Sequence, residues 1–153
     1  MRGPDDVLAP ITLERVRNSL DDLGFTEVRT SDAQILFDFA AFTFVLSLQR
    51  DKNYASMHTS WPLPKALHPG EEQLLAVLDW WNRERYFPTL YLIDRPHGIT
   101  DVFADYVVMA RFGLSSSQLD AHLVLGATVC VDAIEFVQWS VEALRGSSTL
   151  QRR

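Results

Sequence analysis

Hydrophobic positions along this chain follow two periods, and the switches between them divide it into elements. Leu13, Val16, Leu20 and Leu23 recur at three- and four-residue steps, which places them on one stripe of an α-helix. Pro10 and Thr12 mark its entry, with Ile11 just ahead of the N-cap, and Gly24 marks its end. The period then shortens to two. Phe25 to Arg29 predicts a short strand and Thr30-Ser31-Asp32 a turn, and Ile35, Phe37 and Phe39 share one face of a second strand. Phe42, Phe44, Leu46 and Leu48 alternate with Thr43, Val45, Ser47 and Gln49, the clearest half-buried strand pattern in the chain. Asp51-Lys52-Asn53 supplies a hairpin turn, and Tyr54 to Trp61 returns as the partner strand. Links this short make only antiparallel neighbours.

Pro62, Pro64 and Pro69-Gly70 interrupt the pattern and predict a connection of about nine residues. Glu71 and Glu72 favour a helix start, and Leu74, Val77, Leu78 and Trp81 form its buried stripe, with Pro88 ending it. Leu90 to Asp94 and Ile99 to Ala110 predict two strands joined by the turn Arg95-Pro96-His97-Gly98. Ser115-Ser116-Ser117 then leads into a third helix with the stripe Leu119, Leu123, Cys130, Ile134, Val137, Val141 and Leu144, ending at Gly146-Ser147-Ser148. The order is α-β-β-β-β-α-β-β-α. Segregated helices and antiparallel strands place the chain in the α+β class, an antiparallel sheet with flanking helices. Residues 11–145 form one domain, with flexible ends expected at 1–10 and 146–153.

Composition narrows the function classes. The 153 residues are 47% hydrophobic and 22% charged, with a net charge of -6. A chain this acidic lacks the basic surface a sequence-independent nucleic-acid binder needs, so no nucleic-acid partner is expected. The N-terminus lacks the apolar core of a signal peptide, and no uninterrupted apolar run approaches the roughly 20 residues that span a bilayer. A cytoplasmic location without membrane contact is the expectation. Cys130, the single cysteine, forms no intrachain disulfide and sits on the inward stripe of the last helix as an inert thiol.

No catalytic, cofactor or metal constellation stands out. His58, His68, His97 and His122 fall on a strand, a linker, a turn and a helix, without the spacing of a zinc site. Asp101 and Asp105 share one strand face, where paired carboxylates do acid–base work if burial separates their pKa values; a solvent-facing sheet rim explains them as well. The three serines precede a helix, where N-capping accounts for them, and no glycine-rich phosphate loop occurs. The aromatics are more informative. Trp80 and Trp81 point about 100° apart on one helix, so Trp81 takes the core and Trp80 is left for a flank or a partner. Phe136 and Trp139 likewise stand off the main stripe of the last helix. Trp80, Arg83, Arg85, Phe136 and Trp139 are the candidate partner or ligand surface.

The octet Trp81-Asn82-Arg83-Glu84-Arg85-Tyr86-Phe87-Pro88, followed by Thr89-Leu90-Tyr91-Leu92, resembles the signature of actinobacterial YbjN-domain proteins. There a helix ends in W-N-R-E-R, an F-P step opens a strand-turn-strand, and a G-[VL]-[ST] segment enters a long C-terminal helix. Gly113-Leu114-Ser115 with Gln118-Leu119 matches that last segment, and the likeness runs from about Ile11 to Leu144. Tyr86 and Thr89 depart from the commoner R-R-F-P-K form, which weakens any shared basic ligand site. The resemblance implies a fold like that of type III secretion chaperones, which commonly dimerise, stress or regulatory roles, and no established enzyme activity. The expected function is a non-enzymatic protein-binding or chaperone-like module, a homodimer with a possible second protein as partner and no cofactor. The alternative is a small-molecule regulator with an anion pocket between the sheet and the second helix, served by Arg83 or Arg85. A hydrolase or transferase using Asp101 and Asp105 is the third.

Overall fold

The computed structural model describes residues 7–49 and 53–150. Helix α1 (Leu13–Asp22) is followed by strands β1 (Thr26–Thr30), β2 (Gln34–Phe39), β3 (Phe42–Leu48) and β4 (Tyr54–Pro64). Helix α2 (Glu71–Glu84), strands β5 (Thr89–Arg95) and β6 (Ile99–Met109), and helix α3 (Ser116–Leu150) complete the chain. The six strands form one antiparallel sheet in the order β1-β2-β3-β4-β6-β5. The α+β order read from the sequence is the order of the structure.

Local chemistry explains the boundaries. Thr12 caps α1 by accepting from the Arg15 backbone N–H at 3.1 Å. Ser115 and Gln118 form a reciprocal capping box on α3, Gln118 N–H to Ser115 Oγ at 3.2 Å and Ser115 N–H to Gln118 Oε1 at 2.9 Å. The segment ahead of α1 is tied down: Ala9 pairs with Leu114, and the Arg15 guanidinium donates to the carbonyls of Ala9, Pro10 and Leu114. Residues 9 and 10 are therefore anchored, where the sequence suggested a flexible lead; residues 1–6 lie outside the described residues. Of the turn expected at residues 51–53, only Asn53 is among the described residues.

Two other boundaries move. Strand β4 continues through Pro62 and Pro64, pairing them with Asp101 and Ile99. Its pairing to β3 stops at Thr59, so beyond that point β4 has a free side, where a missing N–H is tolerated. Helix α3 passes through Gly146 to Leu150. A glycine weakens a helix by about 1 kcal/mol without forcing it to stop, and Ser147 returns its hydroxyl to the Ala143 carbonyl inside the helix at 3.1 Å.

All three helices lie on one side of the sheet. Helix α3 crosses β4 and β6, α1 packs near β1 and β2, and α2 near β5. Phe37 and Phe44 stack at 5.3 Å under α1, with Phe25 edge-on to Phe37 at 5.2 Å. Leu123, Ala127, Cys130, Ile134 and Val137 carry the buried stripe of α3. Over Ser116–Ser147 this helix is long and apolar enough by length and composition to cross a membrane, which a count of uninterrupted apolar runs misses because polar residues punctuate it. Half of its most apolar window is buried within the fold.

Helix α3 approaches the sheet closely at Gly126. A Cβ there would collide with Met57 Cε and come within 2.6 Å of the Tyr106 ring. Gly126→Ala should destabilise the protein: overpacking costs about 1–3 kcal/mol and outweighs the roughly 1 kcal/mol that alanine gains in helix propensity. Gly146→Ala meets nothing within 4 Å and should stabilise by about 0.5–1 kcal/mol. Urea denaturation of the two variants reads both signs.

Candidate functional site

The octet is the joint between α2 and β5, and most of it is architectural. Trp81 is buried and donates its indole N–H to the Pro88 carbonyl at 3.2 Å. The Phe87–Pro88 peptide is cis, and Phe87 meets the Tyr106 ring edge-on at 5.5 Å. Asn82 lies beside the outer edge of β5 and bonds Leu90 twice, accepting its N–H and donating to its carbonyl, both at 2.8 Å. The side-chain amide imitates one residue of a neighbouring strand. Arg83 and Glu84 pair with each other on the surface at 3.2 Å, and the Arg85 guanidinium stands 5.6 Å from the Trp81 ring centroid, a cation–π contact.

The remaining sequence candidates form a flank of the helical layer. Trp80 stacks on Phe136 at 5.1 Å, and Phe136 also meets Trp81 at 5.3 Å. Trp80 thus has an intramolecular neighbour while staying 40% exposed, and Trp139, one turn beyond Phe136, is 68% exposed. Trp80, Phe136, Trp81 and Arg85 form one cluster; Arg83 points to its own partner, Glu84.

Among the described residues, no helix lies over the opposite side of the sheet. Alternate residues of the central and β5-side strands place Leu36, Val45, His58, Phe103, Val107, Tyr91 and Ile93 there. Tyr91 stacks on Phe103 at 5.3 Å, with rings within 7° of parallel, and His58 lies 5.6 Å from the other side of Phe103. Burial first, and then the Asp105 carboxylate, push the Tyr91 phenol above its usual range, so it stays neutral. The charges on this face are already engaged: Arg29 with Asp38, Asp38 with the Thr43 hydroxyl, Arg95 with Asp101, and Asp105 with the Ser56 hydroxyl at 2.7 Å. Asp101 is only 3% exposed, so it is not the solvent-facing rim residue the sequence allowed. Each carboxylate has its own structural partner rather than the other. The sequence placed Asp101 and Asp105 on one strand face but missed that the whole face is uncovered, because that depends on where three separate helices settle.

Among the described residues, no group of three or more His, Cys, Asp or Glu is placed to hold a metal ion. Burial, followed by the Asp105 charge, pushes the Cys130 thiol up to about 12, and its Sγ lies 3.6 Å from the Ala104 carbonyl. It is held as the unreactive thiol. His122 on α3 meets the Tyr106 hydroxyl through Nδ1 at 2.8 Å, and burial lowers its pKa from the ordinary imidazole value.

The YbjN family profile, described as "Putative bacterial sensory transduction regulator", matches residues 12–139. The chain belongs to the YbjN family. No curated protein sequence matches it significantly. Among solved structures, it resembles YbjN of E. coli, titled "a putative transcription regulator", at 15% identity and a TM-score of 0.69, covering 92% of this chain and 97% of that one. An uncharacterised protein of Methanothermobacter thermautotrophicus aligns at 11% identity and a TM-score of 0.56, covering 87% and 98%. The HopA1–SchA chaperone–effector complex contributes a chain at 16% identity and a TM-score of 0.50, covering 87% and 99%. At these identities the likeness is one of fold, shared with a chain of a chaperone–effector complex.

In this YbjN chain a cleft of about 650 Å³ does lie between the sheet and α2. It opens at the N-terminal end of the helix, against Lys65, His68, Glu71, Leu74, Leu75 and β5. Arg83 and Arg85 sit at the other end of α2 and do not line it, so the anion pocket drawn around them is not the cavity the fold builds.

Two measurements follow from this geometry. Trp80→Ala should cost about 1–2 kcal/mol through the lost stack on Phe136, whereas Trp139→Ala should change stability by no more than about 0.5 kcal/mol; thermal unfolding separates them. His122 should also make stability pH-dependent. Its folded-state pKa lies below its unfolded value near 6.5, so the unfolded chain takes up the proton first as the pH falls. The contribution is complete above about 6.5 and is lost progressively below it. His122→Gln should flatten the urea midpoint just below that pH relative to the unsubstituted chain.

Proposed function

We propose that this chain is a non-enzymatic, cytoplasmic protein-binding module of chaperone type, acting as a homodimer through the uncovered face of its sheet. The observation that carries this reading is the apolar and aromatic band formed by Leu36, Val45, Phe103, Tyr91, Ile93 and Val107 on a face without helices. Contiguous exposed apolar surface of this kind marks interaction sites. The internal pairing of the charges on that face favours a second copy as its occupant. A two-fold interface lays a patch against itself, and a face with an unpaired net charge would repel its own image. Here Arg29 and Arg95 offset Asp38 and Asp101 in place. That leaves Asp105, held by the Ser56 hydroxyl, as the single uncompensated charge among those named on the face, although the chain as a whole carries -6. Membership of a family described as regulatory, and a fold shared with a chain of a chaperone–effector complex, support a protein-binding role.

Light scattering after size exclusion should return twice the mass of the 17.4 kDa chain. Val107→Glu adds a charge at an exposed position of the band and, doubled by symmetry, should shift the mass to that of one chain while leaving the circular dichroism unchanged. A monomeric parent protein at micromolar concentration would sink the homodimer, and a Val107→Glu variant that stays dimeric would move the interface elsewhere.

A further inference from the structure

Strand β5 is one edge of the sheet, and its outward side is only partly occupied. Asn82 takes both outward backbone groups of Leu90. In an antiparallel pair, residues alternate between facing the partner strand and facing away from it. Leu90 faces away from β6, so Leu92 and Asp94 present their N–H and C=O groups on the same outer side. No backbone or side-chain partner meets these groups among the described residues. Leu92 and Asp94 are also two of the residues that line the cleft of about 650 Å³ beside α2. The exposed strand edge therefore borders this cleft.

The rest of the lining indicates what fits. Leu74, Leu75 and Leu92 supply an apolar wall, with Leu75 45% exposed. His68 contributes an Nε2 atom shut off from solvent with no hydrogen-bond partner, which is costly unless something fills the place. Lys65 stands on the β4 side of the hairpin, held through its backbone bond to Gly98 at 2.8 Å, with β6 and β5 between it and the outer edge. Arg95 is neutralised by Asp101, and Asp94 accepts from the Thr100 hydroxyl at 2.9 Å.

We propose that this cleft receives an extended peptide segment of a partner protein, added as a further strand along the outer edge of β5. Its main chain pairs with Leu92 and Asp94. Every second side chain turns inward, so apolar residues at alternate positions meet Leu74 and Leu75. Main-chain pairing supplies general affinity and the alternate pockets supply selectivity. Asn82 sets the limit of the site, because it already fills the strand position opposite Leu90. The site goes beyond the sheet-face reading and stands without it, since edge and face are separate surfaces.

The test uses a displayed library of short random peptides selected on the intact chain, followed by synthesis of the enriched sequences and titration into ¹⁵N-labelled protein. The expected peptides carry apolar residues at alternate positions. They should shift the Leu92 and Asp94 amides and protect them from hydrogen exchange. N-methylating the peptide at the pairing positions, or substituting Leu75→Arg in the protein, should weaken binding by about tenfold or more. Val107→Glu on the open face should leave peptide affinity unchanged. A selection with no enriched peptide, shifts confined to the open face, or indifference to N-methylation would each overturn the edge site, and none of them decides the homodimer.

Discussion

The seating of α3 across β4 and β6 is the constraint on which the remainder of this molecule depends. Gly126 lets the helix approach until Met57 and Tyr106 lie directly beneath it, and the buried stripe continues through Ala127, Cys130, Ile134 and Val137. Once α3 occupies that line, α1 and α2 have only the two ends of the same face left, over β1–β2 and beside β5. Helix α1 is locked to it through Ser19 and Asp120, and Trp80 and Trp81 of α2 close on Phe136. The apolar supply of the helices is spent on one side of the sheet. The other side stays open because nothing in the described chain remains to cover it.

That arrangement separates what the sequence makes legible from what it hides. Period-two alternation in Phe42–Leu48 and the stripes of the three helices are local consequences of burial on one face, so they are readable one element at a time. The capping box at Ser115 and Gln118 is readable for the same reason. Pro62 and Pro64 mislead because proline excludes a residue only from a strand paired on both sides, and whether β4 is so paired depends on where β3 stops. Gly146 misleads because a glycine lowers helix stability without setting an end. Trp80 is half legible: its angle from Trp81 places it off the core, while its stack on Phe136 needs the position of α3.

The candidate surfaces show the same division. Arg83 and Arg85 look unassigned in sequence because their partners are an adjacent glutamate and an indole whose orientation the chain does not reveal. Asn82 attracts no notice among charged neighbours, yet it makes the most specific contacts of the octet. Its importance follows only from the strand order, which puts β6 between β4 and β5 and so leaves β5 at an edge. A residue that terminates a sheet edge has no periodic signature, because the edge is a property of the assembled topology.

The octet is therefore best understood as the device that ends the sheet on this side. Trp81 holds Pro88, Asn82 holds Leu90, and the joint fixes α2 alongside β5 for the first part of the strand. An unprotected edge pairs readily with other chains, and a single side-chain amide guards only one residue of it. Farther along, α2 and the strand diverge, and the cleft opens where that protection stops. A fully covered edge would need a second Asn82-like contact at Leu92, but the helix there presents Leu74 and Leu75, whose side chains cannot bond to a backbone. The same helix thus closes one end of β5 and leaves the other accessible behind an apolar wall. Leu92 is only half-buried there and Asp94 is exposed. A main-chain partner would therefore exchange water for strand hydrogen bonds while its alternate side chains cover the apolar wall, and that burial is what favours it over solvent.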